Sequence, residues 1–124
     1  MSAGASATPN PRAQRSPVLG GYAFDVVYLT DVTDPTTVDD WPAGPTTVTL
    51  TGFEQDFNLR GIWCEAYTGV GVGGSITPAN VYACVNMDSI VKYTDTANGH
   101  DPTIATFDVF CTSPGTQLLR LWVY

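Results

Sequence analysis

The clearest pattern in the chain is the alternation of apolar and polar residues in short stretches that follow Gly20. In Thr46–Phe53, for example, Val48 and Leu50 fall on one face while the threonines between them fall on the other. A period of two residues is typical of half-buried β-strands. These stretches are also rich in β-branched and aromatic residues, which strands favour. The pattern predicts strands over Tyr22–Thr30, Thr46–Phe53, Phe57–Thr68, Val81–Tyr93, Thr103–Cys111 and Gln117–Tyr124.

Turn-forming residues separate the predicted strands. The pairs Asp34-Pro35 and Trp41-Pro42 lie in one long loop, and Asn98-Gly99 is a strong signal for a tight turn. No segment of ten or more residues shows the 3.6-residue period of an amphipathic helix. The sequence therefore predicts an all-β fold, with a β-sandwich or jelly-roll-like body of about 6–8 antiparallel strands.

Two irregularities are expected inside the predicted strands. Gly61 indicates a β-bulge, because an isolated glycine in a strand pattern often marks one. The dipeptide Asp88-Ser89 is expected to break the stretch Val81–Tyr93 in two. Before that break, one face is predicted to carry Val81, Ala83, Val85 and Met87.

The first twenty residues have a different composition from the rest of the chain. They are rich in Ser, Ala, Pro and Gly, and the three prolines among them oppose helix formation. We predict an extended N-terminal arm over residues 1–20 and a β-sandwich body over residues 21–124. Fixing an arm of this length costs on the order of 20 kcal/mol in backbone entropy. Because the arm has few apolar side chains to offset that cost, we expect a neighbouring protein to hold it.

Charge is divided unequally between arm and body. All twelve acidic residues follow Gly20, together with three basic residues, so residues 21–124 carry a net charge of −9. The arm carries +2, from Arg12 and Arg15. An acidic body repels phosphate backbones, so we expect no nucleic-acid partner. The arm of one subunit can lie on the acidic body of another; the alternative is that both arginines are solvated.

Hydropathy and cysteine content bear on where the protein is made. No stretch approaches the roughly 18 apolar residues of a membrane span, and no apolar signal-peptide core precedes the prolines. We therefore expect no membrane partner and folding in a cytoplasm. Cys64, Cys84 and Cys111 are odd in number and lack CxxC spacing. We expect all three to be reduced core residues; one disulfide is the alternative.

Two loops contain residue types that bind cofactors or metals in other proteins. Gly69–Gly74 satisfies G-x-G-x-x-G, but Ser75–Pro78 follows it where dinucleotide binding needs a helix. A glycine loop on the surface or at a close subunit contact is the simpler interpretation. A second loop carries four carboxylates, which suit Ca²⁺, but their spacing is not that of an EF-hand. We predict turn hydrogen bonds instead, and therefore no cofactor and no metal. The four carboxylates of the second loop are those of Asp31, Asp34, Asp39 and Asp40.

The sequence contains no recognisable catalytic motif. His100 is the single histidine, and nothing in the sequence places it near a nucleophile such as Cys111. We expect an exposed turn histidine and no catalytic residue. A pocket with His100 beside Cys111 or Asp108 would instead indicate a small hydrolase. Glu54 and Asp56 are predicted to be solvated in a turn, although paired carboxylates can hydrolyse glycosides.

Aromatic residues offer two kinds of surface. Trp122 and Tyr124 alternate with the inward residues of the last predicted strand. They form either an aromatic outer stripe that anchors an interface or the second face of a sandwiched strand. Trp41, Trp63 and Tyr67 lie near predicted loops and could stack on sugars. They favour a carbohydrate- or receptor-binding β-sandwich as the alternative to a role in assembly.

In overall character the chain resembles small all-β bacteriophage virion proteins of the capsid decoration, or cement, type. The resemblance lies in the Ala/Ser/Pro-rich arm, the Thr/Val/Gly-rich body and the single lysine, Lys92, and it includes no specific motif. It implies a structural protein without enzymatic activity, located on the outer capsid surface of the virion. It also implies a homo-oligomer, with a trimer favoured, that binds the major capsid protein or another virion protein. The expected interface residues are Pro9, Pro11, Arg12, Arg15, Pro17, Trp122 and Tyr124.

Overall fold

Short β-strands make up the regular structure of this protein. The computed structural model describes residues 2–10, 21–68, 77–78, 83–111 and 115–124. Within these segments there are nine strands and one 3₁₀ turn, Ala97–Gly99, and the all-β prediction is confirmed. The strands are β1 (Gly4–Pro9), β2 (Tyr22–Leu29), β3 (Val38–Asp39), β4 (Gly44–Leu50), β5 (Ile62–Thr68), β6 (Thr77–Pro78), β7 (Ala83–Lys92), β8 (Ala105–Cys111) and β9 (Leu118–Val123).

The strands form two antiparallel sheets that pack face to face. The larger sheet has the order β1-β2-β9-β5-β6, and β3 also pairs with β2. The smaller sheet has the order β4-β8-β7. The two sheets meet at both sides, where β1 lies beside β4 and β5 lies beside β7. This arrangement is the predicted β-sandwich.

The core lies between the sheets and follows the alternation seen in the sequence. The inward residues of β8 are Ala105, Phe107, Val109 and Cys111, and all four are buried, as predicted. Opposite them, β9 contributes Leu119, Leu121 and Val123, which are also buried. Burying a Val, Leu or Phe side chain contributes roughly 1.5–3 kcal/mol. The two central strands therefore supply much of the stability of the sandwich.

The segment before β5 packs as a loop, although it was predicted to be strand. Phe53 and Phe57 stack with their ring centroids 5.6 Å apart, and Tyr22 meets both rings edge-on at 4.8 and 4.9 Å. The Tyr22 hydroxyl also accepts a hydrogen bond from the Glu54 backbone N–H at 3.0 Å. This aromatic cluster closes one end of the core, so β5 begins only at Ile62.

Bulges lie at Gly61, as predicted, and within β7. The N–H groups of Arg60 and Gly61 both donate to the Tyr124 carbonyl, at 2.6 and 2.9 Å, so two residues oppose one. From Ile62 onward the pairing between β5 and β9 is regular, whereas pairing between β7 and β8 changes register between Asn86 and Val91. Within this irregularity, the Ser89 hydroxyl donates to the Asn86 carbonyl at 2.6 Å and accepts from the Asp108 N–H at 2.8 Å. Asp88-Ser89 therefore interrupts the pairing as a bulge, but β7 continues through it as one strand and is not broken in two. Met87 is exposed and does not share the face of Ala83 and Val85 as predicted, and Val81 lies outside the described residues.

The first described residues belong to the large sheet. β1 pairs with β2 from Gly4 opposite Leu29 to Pro9 opposite Phe24. Ala5 and Ala7 pack against the core, and the pairing supplies the backbone hydrogen bonds. The expectation that another protein must hold the whole arm is thus wrong for residues 4–9, because the chain's own sheet holds them. The predicted arm residues 11–20 lie outside the described residues.

Candidate functional site

The outer face of the large sheet carries a row of aromatic and charged side chains, here called the Trp63 face. It consists of Trp63, Glu65 and Tyr67 on β5 and Arg120 and Trp122 on β9, which are cross-strand neighbours. Trp63 lies opposite Trp122, and its side chain is 63% exposed. An exposed tryptophan on a strand that is paired within a sheet is a rigid apolar contact surface.

Hydrogen bonds fix the residues around Trp63. One carboxylate oxygen of Glu65 accepts from the Trp122 Nε1–H at 2.8 Å and from the Tyr67 hydroxyl at 3.2 Å. Desolvation, with the nearby Glu65 charge as the second cause, raises the pKa of Tyr67 above its ordinary value. The Tyr67 hydroxyl therefore stays protonated at neutral pH and keeps donating to Glu65. Tyr67 thus holds the Glu65 carboxylate in place, and Glu65 in turn holds the Trp122 indole in one orientation.

An ion pair continues this network towards the N-terminal strand. Arg120 donates to both carboxylate oxygens of Asp25, at 2.9 and 3.3 Å, and its guanidinium lies 5.3 Å from the Tyr67 ring centroid. The hydrogen bond that Arg120 donates to Asp25 is the largest cause of the raised pKa of Arg120. Asp25 also accepts from the Asn10 amide at 3.0 Å. The ion pair therefore links β9, β2 and the residue that follows β1.

The predicted interface residues have different surroundings. Trp122 lies on the outer face of β9, half-buried, so the aromatic-stripe alternative describes its position. Tyr124 is exposed, and its phenol ring covers Gly61. Pro9 is exposed at the end of β1. The other four predicted interface residues, Pro11, Arg12, Arg15 and Pro17, lie outside the described residues.

A second apolar surface lies on the outer face of the small sheet, here called the Phe110 face. Met87, Val91 and Phe110 are 50%, 44% and 38% exposed. Cys84 is exposed and lies opposite Phe110. This surface was not predicted from the sequence. The signal was present, since Phe110 occupies an outward position of the alternating stretch that follows Thr103.

His100 lies in a groove at the end of this face and is not fully exposed as predicted. Its ring stacks on Tyr93 with centroids 3.5 Å apart, and its Nδ1 is 3.4 Å from an Asp95 carboxylate oxygen. The groove has a volume of about 290 Å³, and its lining includes Ile104 and Thr106 but neither Cys111 nor Asp108. A pocket with His100 beside Cys111 or Asp108 would have indicated a hydrolase, and this groove does not have that arrangement.

Three of the four carboxylates in the Asp31–Asp40 loop, those of Asp31, Asp34 and Asp39, accept hydrogen bonds from nearby loop residues. Asp31 accepts from the backbone N–H and the hydroxyl of Thr33, at 3.0 and 2.7 Å. Asp34 binds Thr36 in the same way, at 3.0 and 2.7 Å. The threonine hydroxyls are the main cause of the lowered pKa of both aspartates. In the described part of the chain, no group of three or more His, Cys, Asp or Glu side chains is arranged to hold a metal ion.

The three cysteines are free thiols in different environments. Cys111 is buried, Cys64 is half-buried and Cys84 is exposed, so the prediction that all three lie in the core is wrong for Cys84. Cys84 faces outward because it alternates with the inward residues Ala83 and Val85. Burial raises the pKa of Cys64 to about 12 and that of Cys111 to about 11. These two thiols are therefore poor nucleophiles.

The aromatic residues considered for sugar binding are not equivalent. Trp41 is 1% exposed and packs against Tyr28, with centroids 5.8 Å apart, so it cannot stack on a ligand. Trp63 and Tyr67 lie four residues apart on β5, with Glu65 between them on the Trp63 face. Glu54 and Asp56 are exposed in the loop between β4 and β5, as predicted. The glycine loop Gly69–Gly74 lies outside the described residues.

Comparison with known proteins identifies no relative. No family model matches the chain, and no curated protein and no solved structure is significantly similar to it. In the segments that the structure describes, no helix is both long and apolar enough to cross a membrane. Function is therefore inferred from the surfaces described above.

Proposed function

We propose that this chain is a structural protein of a bacteriophage particle, which decorates or cements the capsid and catalyses no reaction. The observation that carries the proposal is the pair of apolar outer surfaces, the Trp63 face and the Phe110 face. Large apolar side chains clustered on the outside of a small domain commonly mark protein contacts. A sandwich that presents such surfaces on both sheets is suited to contact two neighbours at once.

The acidic charge supports a position on the outside of the particle. Residues 21–124 carry a net charge of −9, which disfavours contact with packaged DNA. We therefore place the protein on the outer capsid surface, bound to the major capsid protein or another virion protein. A homo-oligomer, with a trimer favoured, is part of this proposal. In this view the protein is made in the host cytoplasm before it joins the particle.

The role of the N-terminal residues is narrower than the sequence indicated. Residues 4–9 form a strand of the chain's own sheet, so only residues 11–20 remain as a segment for contact with a neighbour. That segment includes Arg12 and Arg15, which complement acidic surfaces. We propose that these two arginines contribute to attachment by charge.

Attachment to particles tests the proposal through the two faces. In the variants Trp63→Asp and Phe110→Asp, a charge replaces an exposed apolar side chain, so the fold should be retained. Asn58→Asp, at an exposed position of the loop between β4 and β5 and on neither face, is the control. Co-sedimentation with particles that lack the protein should fall at least tenfold for one of the first two variants and stay near wild type for Asn58→Asp. Equal attachment of all three variants would contradict the proposal.

A second test addresses the arm charges without removing a strand. Replacing Arg12 and Arg15 with serine should weaken co-sedimentation and reduce its dependence on salt. Replacing Arg60 and Lys92 with serine removes two positive charges from the body and serves as the control. If the two double variants attach equally well at every salt concentration, the arginines of the arm have no specific role.

A carbohydrate-binding module is the second candidate, and the exposure of Trp63 favours it. The apolar face of a pyranose ring can stack on an exposed indole, while sugar hydroxyl groups bond to Glu65. Tryptophan fluorescence, titrated with neutral and with acidic oligosaccharides, tests this function. Binding that is lost in Trp63→Ala and retained in Phe110→Ala would support it. The absence of any fluorescence change and of any signal on a glycan array would exclude it.

A further inference from the structure

The N-terminal strand contributes few side-chain contacts for its length. β1 is the edge of the large sheet and pairs with β2 at six positions. Its residues that pack on the core are Ala5 and Ala7, both half-buried. Its main attachment is therefore the backbone pairing with β2, which depends little on side-chain identity. Such a strand can be replaced by the same strand of a second copy, which covers the same side of the core.

Side-chain hydrogen bonds set the register of this pairing. The Asn10 amide donates to the Asp25 carboxylate at 3.0 Å, and the Thr8 hydroxyl donates to the Asp25 carbonyl at 3.3 Å. Asp25 lies on β2, so both bonds connect the two strands that pair. A second copy of this chain presents the same acceptors in the same place. Exchange of β1 between two copies therefore loses no contact.

The connection from β1 to β2 is longer than a hairpin needs. Two residues suffice to join paired antiparallel strands, whereas twelve separate Pro9 from Tyr22 in this sequence. Even ten of these twelve residues, if fully extended, would span up to about 35 Å. That length exceeds what a local turn uses and is sufficient to reach an adjacent copy.

We propose that β1 is exchanged between copies of this chain, so that β1 of one copy pairs with β2 of its neighbour. The proposal rests on the proposed assembly function, because a shell brings many copies close together. Because β1 belongs to the same chain as β2, its effective concentration there is on the order of millimolar. In dilute solution β1 therefore pairs mainly within its own chain. Exchange between copies becomes about as frequent as pairing within one chain where the copies themselves reach millimolar concentration.

Disulfide trapping between two different variants tests the exchange with the purified chain alone. Ser6 lies opposite Val27 in the pairing of β1 with β2, and residues opposite each other in antiparallel strands are within disulfide reach. Both variants carry Cys84→Ser, which removes the exposed native thiol. A mixture of the Ser6→Cys and Val27→Cys chains can form the 6–27 disulfide only between two chains. The control mixture pairs Ser6→Cys with Thr47→Cys, which lies on the outer face of the other sheet.

The expected result is a covalent dimer that accumulates at least tenfold faster in the first mixture than in the control. Its rate should rise with protein concentration, and peptide mapping should show the 6–27 linkage. Equal rates in the two mixtures would overturn the proposal. If either variant loses its far-ultraviolet circular dichroism, the pair Ser2→Cys and Val32→Cys replaces it, since the Val32 N–H bonds to the Ser2 carbonyl at 2.8 Å. Because no particle is involved, failure here leaves the attachment tests of the proposed function unaffected.

Discussion

At the scale of single residues, one small motif occurs three times. In Asp31-Val32-Thr33, Asp34-Pro35-Thr36 and Asp101-Pro102-Thr103, the carboxylate accepts from the N–H and the hydroxyl of the threonine two residues later. Each motif closes a turn between strands without a partner from elsewhere in the chain. The loop carboxylates that might have bound Ca²⁺ are thus explained by local turn geometry.

Because of these turns, the free energy of unfolding should depend on pH in the acidic range. The threonine hydroxyls lower the pKa of Asp31, Asp34 and Asp101 in the folded protein. Their stabilising contribution is complete above the unfolded pKa of about 3.9 and is lost as the pH falls through the lower folded value. In Thr103→Val, NMR titration should show the pKa of Asp101 rising towards its ordinary value. Thr49→Val should leave that pKa unchanged, and an unchanged pKa in Thr103→Val would refute the assignment.

The absence of a side chain at Gly61 leaves room for the ring of Tyr124. A Cβ atom at this position would lie 2.6 and 2.7 Å from the Oη and Cζ atoms of the Tyr124 ring. We predict that Gly61→Ala displaces the exposed Tyr124 ring and lowers the free energy of unfolding by up to about 1 kcal/mol, because the clashing atoms are at the free end of that side chain. Urea denaturation should show most of that loss disappearing in the Tyr124→Ala background. A loss of equal size in both backgrounds would indicate a backbone cause instead.

At the scale of elements, sequence periodicity located the strands that have one apolar and one polar face. The ends of β2, β8 and β9 lie within two residues of the predicted ends, because their sequences are rich in β-branched and aromatic residues or alternate between apolar and polar positions. β1 was missed, since its sequence GASATP contains a single β-branched residue and no large apolar side chain. Its position is determined by backbone pairing with β2, which is a tertiary contact that local composition does not encode.

The Asp25–Arg120 ion pair should stabilise the pairing of β1 with the sheet as well as the fold as a whole. Both side chains are largely buried, at 24% and 22% exposure. Asp25→Ala should lower the free energy of unfolding by about 1–3 kcal/mol, because it removes charge-assisted hydrogen bonds. Hydrogen exchange of the β1 amides should accelerate more than exchange in β8. The control Asp108→Ala loses the exposed bond to Thr47, and it should change both quantities less. Equal effects of the two substitutions would count against a link to β1.

At the scale of the whole molecule, the candidate surfaces were only partly predictable. The outward position of Trp122 was one of two alternatives, and Trp63 was noted as an aromatic residue near a loop. The Phe110 face depends on the β7 bulge and on which sheet side stays uncovered, and neither follows from one segment alone. A surface formed by several strands emerges only when their register is known.

The cysteines provide a simple check of the two-sheet packing. Because burial raises the pKa of Cys64 and Cys111, the native protein should react with an aromatic disulfide reagent at Cys84 alone. At pH 8 we expect one thiol equivalent to react quickly and all three to react after unfolding in guanidinium chloride. Cys84→Ser should abolish the fast phase. Rapid reaction of two or three thiols in the native protein would be inconsistent with this packing.

The central claim, that this chain is a structural component on the outside of a virus particle, is tested most directly by cryo-electron microscopy. Particles assembled with and without the protein should be compared at the same resolution. We predict two-sheeted densities on the outer capsid surface, in a fixed ratio to the capsid subunits, that are missing from particles made without the chain. Identical maps for the two preparations, with no trace of the protein in the purified particles, would contradict the claim.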